Sequence, residues 1–103
     1  MDKHLADARR YDAVAPAEVI DRIVRHLSGA PNVRDAATVA CSDERELRTV
    51  GEHWCRSRLG ADDSAAIERT LELVCETMAR DRMKNRATFY YLCAKHLRKV
   101  DAI

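Results

Sequence analysis

Glycine occurs three times and proline twice in these 103 residues. So few glycines leave no phosphate-cradling loop, and neither GxGxxG nor a P-loop is present. GxSxG and HExxH are missing too, so no familiar nucleophile elbow or zinc-protease helix is encoded. No apolar run exceeds Phe89 to Ala94, far short of the ~20 residues a membrane span needs. Met1 to Tyr11 carries charge throughout and has no apolar core, so a secretory leader is not expected and the cytoplasm is the expected setting. Sustained strand alternation, repeats and low-complexity segments are absent as well.

Cysteine is present without pattern. Cys41, Cys55, Cys75 and Cys93 stand 14, 20 and 18 residues apart, and none forms the CxxC of a zinc ribbon or redox site. In a reducing compartment they are expected as free thiols rather than as a disulfide framework. Charge is nearly balanced at +1 overall but unevenly spread. Residues 1–79 carry 11 Lys/Arg against 15 Asp/Glu, whereas residues 80–103 carry 7 against 2.

What is there is helical periodicity in one domain, residues 1–103. A short charged helix over Asp2–Tyr11 offers Leu5 and Ala8 as contacts. Pro16 opens a second helix whose Val19, Ile20, Ile23, Val24 and Leu27 share one face. Ser28-Gly29 stops it, and Pro31 blocks continuation. Residues 32–40 admit either a short turn of helix capped by Asn32 or an extended Thr38-Val39-Ala40. Ser42 is the expected cap of a helix over Asp43–Leu59, with Leu47, Val50, Gly51 and Trp54 inward and Leu59-Gly60 as its stop. Ser64 is the expected cap of a helix to Arg80, striped by Ile67, Leu71, Val74, Cys75 and Met78. Asn85 caps a last helix, Arg86–Lys99, with Phe89, Cys93, His96, Leu97 and Val100 on one side. The expected fold is all-α: a small irregular or orthogonal bundle of about five helices, without a sheet. Its core centres on Ile23, Leu47, Trp54, Leu71, Val74, Phe89 and Cys93.

Three constellations merit weighing. On the last helix Tyr91, Lys95, Arg98 and Lys99 fall opposite Phe89, with Lys84 near the same line and Arg80, Arg82 and Arg86 adding charge around the preceding turn. An exposed ring among cations suits a nucleic-acid surface, stacking for the base and charge for the phosphate. The bland alternative is a solvated face whose cations pair with the acidic earlier helices. Cys41 precedes a helix N-terminus, where a thiol becomes more acidic, although Asp43 and Glu44 oppose that; a packed structural cysteine is the alternative. Cys93 and His96 stand one turn apart and can share a metal if Cys55 and Cys75 converge on them, although no paired-ligand spacing supports it; a buried thiol beside a core histidine is the alternative. Paired carboxylates such as Asp62-Asp63 read as caps or solvated charge. His26 and His53 fall on polar sides. Leu73 points away from its stripe, and Arg58 falls beside Trp54.

From Cys41 onward the chain resembles a known bacterial family. Cys41-Ser42-Asp43, Trp54-Cys55, Leu59-Gly60, Asp81-Arg82, Lys84-Asn85-Arg86 and Thr88-Phe89-Tyr90-Tyr91-Leu92 are its distinctive words. The family is domain of unknown function 2853. The resemblance implies a compact all-helical fold and no activity. Cys93 departs from the aliphatic residue expected there. No catalytic residue, metal or cofactor is expected. The expected role is a non-enzymatic interaction module, alone or as a homodimer. The alternatives are nucleic-acid association through Lys84, Arg86, Tyr91, Lys95, Arg98 and Lys99, a reactive thiol at Cys41, or a metal site at Cys93 and His96.

Overall fold

A helix without a polar face must be surrounded, because every side of it loses free energy in water. The segment Arg86–His96 (α5) is such a helix: all residues from Arg86 to Ala94 are buried. The computed structural model describes residues 3–28 and 38–103, and α5 is the axis of what it describes. Around it stand α1 (Lys3–Tyr11), α2 (Ala17–Ser28), α3 (Glu44–Thr49), a π-helix (Val50–Arg58) and α4 (Ser64–Thr77), and a 3₁₀ turn (Val100–Ala102) closes the chain. The helices α1, α2 and α4, the π-helix and the 3₁₀ turn all press directly on α5.

The longer peripheral helices, α2 and α4, turn an apolar stripe inward. Val19, Ile20, Ile23 and Leu27 are buried on α2, as their spacing predicts. Ile67, Leu71 and Val74 are buried on α4, with Met78 at its end. The largest packing unit is Trp54 against Tyr90, stacked with ring centroids 4.6 Å apart. The Trp54 indole N–H donates to the Tyr90 carbonyl at 2.9 Å. This satisfies the one polar atom of a fully buried ring.

Several boundaries differ from expectation for local reasons. Asp43, not Ser42, caps α3, its carboxylate accepting from the backbone N–H groups of Arg45 and Glu46. Asp63, not Ser64, caps α4 in the same way. A carboxylate is the stronger acceptor at the positive end of a helix. Asn85 caps α5 as expected, accepting from Thr88 N–H. The expected single helix Asp43–Leu59 changes winding at Val50, where the π-helix begins. The wider winding still shows at its end, where Leu59 N–H bonds the carbonyl of Trp54, five residues back. Gly60 ends it in the left-handed region (φ 77°), as the Leu59-Gly60 stop predicts. The helix from Ser64 ends at Thr77 rather than Arg80.

The expectation of no sheet is also corrected. Thr38–Val39 (β1) pairs antiparallel with Lys84–Asn85 (β2), Thr38 opposite Asn85. Two-residue strands carry no alternation to read, so only the extended alternative for Thr38–Ala40 pointed to them. The expected stop at Gly29, the block at Pro31 and the cap at Asn32 lie outside the described residues.

The last helix ends at His96, short of the expected Lys99, because Arg98 turns left-handed (φ 56°). Lys99 N–H then bonds the Ala94 carbonyl at 2.8 Å. A side chain with a Cβ pays about 1 kcal/mol or more in that conformation. Arg98→Gly is therefore expected to raise unfolding stability by about 1 kcal/mol in urea titration. A variant no more stable than wild type would contradict this account of the turn.

Candidate functional site

The six residues expected to form a nucleic-acid surface do not share an open face. Tyr91 is only 3% exposed, and its hydroxyl donates to Asp12 at 2.6 Å. Arg86 is equally buried, ion-paired with Glu46 and donating to the Thr38 carbonyl at 2.9 Å. Lys95 is exposed but pairs with Asp12 at 3.0 Å. Lys84 is half-buried and donates to the Asp81 carbonyl at 2.9 Å. Arg98 is exposed and Lys99 half-buried beyond the end of α5. The physical reason is the position of α5: a helical wheel assigns one wet side, but α1 covers the side that carries Tyr91. His96, expected inward, is exposed, while His26 tilts against Trp54 with ring centroids 5.2 Å apart.

Those pairs predict a pH response. Hydrogen bonds from Tyr91 and then Lys95 hold Asp12 below the ordinary carboxylate value. Bonds from Arg10 and then Tyr11 do the same for Asp81. With folded values lowered, the unfolded chain takes up the protons first. Their stabilisation is therefore complete above the unfolded value, about 3.9, and is lost as pH falls through the folded values. Urea midpoints are expected to hold down to about pH 5 and to fall below about pH 4. The fall should be shallower in Asp12→Asn/Asp81→Asn. Parallel profiles for the two proteins would remove this role.

The four cysteines divide into two pairs. Cys41 and Cys75 form a disulfide, with Cα atoms 6.0 Å apart. This corrects the expectation of four free thiols, and in this state Cys41 has no thiol to react. No spacing encodes the pairing: the partners stand 34 residues apart on separate elements. Cys55 and Cys93 are free, fully buried and within hydrogen-bonding contact of each other. Burial pushes the Cys93 thiol well up, so it stays protonated. Among the described residues no three His, Cys, Asp or Glu side chains converge to hold a metal.

An open feature of the surface lies elsewhere. A groove of about 460 Å³ runs between α3 with its π-helix on one wall and α4 on the other. Its floor is Leu47, Gly51, Ile67 and Leu71. Gly51 brings the walls together: a Cβ there would lie 3.1 Å from Ile67 Cγ2. The rim holds Glu44, Glu52, Glu68 and Glu72 against Arg48 and Arg56. Arg56 is already engaged by Glu52 at 3.3 Å and by Ser64 Oγ at 2.7 Å. Glu44, Glu68, Glu72 and Arg48 make no ion pair among the described residues. The groove was partly legible in the sequence, since Leu47, Gly51, Ile67 and Leu71 are all stripe residues. What the stripes hid is that they stop short of closing over one another.

No helix of the described residues is long and apolar enough to cross a membrane. A comparison with curated proteins finds no match. A family model described as "Protein of unknown function (DUF2853)" matches residues 3–101. That match covers nearly the whole chain and includes the distinctive words between Cys41 and Leu92, so the chain belongs to the DUF2853 family.

Proposed function

We propose that this protein is a non-enzymatic interaction module that docks a basic amphipathic helix in the groove between α3, its π-helix and α4. One observation carries the reading: an apolar floor edged by four glutamates and two arginines, one of them already spent on Glu52. Apolar side chains of a helix at i, i+3, i+4 spacing fit such a floor, and flanking lysines or arginines meet the surplus carboxylates. The π-helix supports it further, since such windings concentrate at functional positions. The proposed setting is the cytoplasm. The nucleic-acid reading is left with cations but without its stacking ring, because Tyr91 is buried.

The test uses a short fluorescent peptide with leucines at helical spacing and lysines elsewhere, and a second peptide with glutamate replacing lysine. Binding of the lysine peptide is expected, weakened by salt and about tenfold by Glu68→Lys/Glu72→Lys. Binding of both peptides alike, or of neither, would overturn the reading. So would displacement of the peptide by single-stranded RNA, or burial of the groove in a homodimer that sediments as such at all concentrations.

A further inference from the structure

The groove is a helical hairpin closed at one end by its own loop and at the other by a covalent bond. Near the loop, Arg56 binds Ser64 Oγ and the Asp62 carbonyl. Midway, Gly51 packs on Ile67. At the far end, Cys41 precedes Glu44 by three residues and Cys75 follows Glu72 by three. Their disulfide ties the start of α3 to the last turn of α4. Among the described residues no hydrogen bond or ion pair joins those two segments there. The bond is therefore the one polar or covalent tie described at that end, and both cysteines are only half-buried.

We infer that the Cys41–Cys75 disulfide is a redox latch that holds the groove in its binding shape. The inference rests on the groove being the docking site. A dithiol reductant opens the latch in two steps. One thiolate attacks a sulfur of the bond, giving a mixed disulfide and releasing the other cysteine as a thiolate. The reductant's second thiolate then displaces the first cysteine. The reductant leaves as a disulfide, having given two electrons, and Cys41 and Cys75 each gain a proton. Disulfides in reducing compartments are characteristically transient and redox-responsive, which suits a tie placed at a rim rather than in the core. Once open, the start of α3 and the end of α4 separate, and a partner must then order walls that were held in advance.

The experiment compares oxidised protein, protein in dithiothreitol, and Cys41→Ser/Cys75→Ser. Amide hydrogen exchange and affinity for the lysine–leucine peptide are measured in each. On opening, protection is expected to fall across Glu44–Thr49 and the last turn of α4 while α5 keeps its own. Peptide affinity is expected to drop about tenfold in both opened forms. Equal affinity in all three forms overturns the latch and leaves the docking groove standing. Peptide binding in none of them overturns the docking reading, and the latch with it. Loss of protection throughout α5, or of buried Trp54 emission, would make the bond a staple of the whole fold and also overturn the latch.

Discussion

Trp54→Ala is expected to cost about 3–5 kcal/mol, enough to bring the chain close to unfolding. Trp54 is fully buried, stacks on Tyr90, and also meets the tilted ring of His26. Truncation removes the largest side chain from the contact between the π-helix and α5 and leaves a cavity that neighbours fill only partly. The melting temperature should fall by roughly 15–30 °C. Trp54→Phe keeps much of the ring and loses the N–H bond to the Tyr90 carbonyl, so a smaller loss is expected. About 1 kcal/mol of it is due to that bond. Urea and thermal unfolding check both. A loss below about 1 kcal/mol for Trp54→Ala would mean that α5 is not the axis of the core.

Glu46→Ala is expected to cost about 3 kcal/mol, far more than an ordinary glutamate substitution on a helix. The reason lies in its partner. Arg86 is buried at the first turn of α5, and Glu46 on α3 is its counter-charge. Arg86 also bonds the Thr38 carbonyl and lies 5.8 Å from the Tyr90 ring centroid. Its Nε has no partner among the described residues. Removing the carboxylate leaves a guanidinium buried without an opposite charge, and that penalty exceeds the net worth of the pair. The double change Arg86→Met/Glu46→Leu should accordingly recover most of the loss, ending within about 1 kcal/mol of wild type. If the double variant is as unstable as Glu46→Ala, desolvation is not the cause. If Glu46→Ala is as stable as wild type, the pair does not join α3 to α5.

The contrast between α2 and α5 explains what the sequence could and could not disclose. On α2, charged residues separate the apolar ones, so periodicity alone names the buried face. On α5, Phe89 to Ala94 has no polar residue to mark a wet side, and a wheel drawn through it assigns one arbitrarily. The same run, too short for a membrane, is long enough for a helix buried on all sides. Read that way it places Tyr91 inside and makes a buried counter-ion for Arg86 necessary. Of the strand pair only the Thr38–Val39 half is hinted at, as an extended alternative, because two residues have no period. The Cys41–Cys75 bond was out of reach because connectivity is set by how α3 and α4 meet, which spacing does not encode. The groove lies between: its floor residues were named as stripe members, but the acidic rim becomes a rim only once the two walls face each other.

The most direct test of the docking groove is a nuclear magnetic resonance titration of the oxidised protein with the lysine–leucine peptide. Saturable amide shifts are expected along Glu44–Arg56 and Ser64–Glu72, with the C-terminal end of α5 undisturbed. Shifts centred on Lys95 and Arg98 instead, or none at peptide excess, would contradict it.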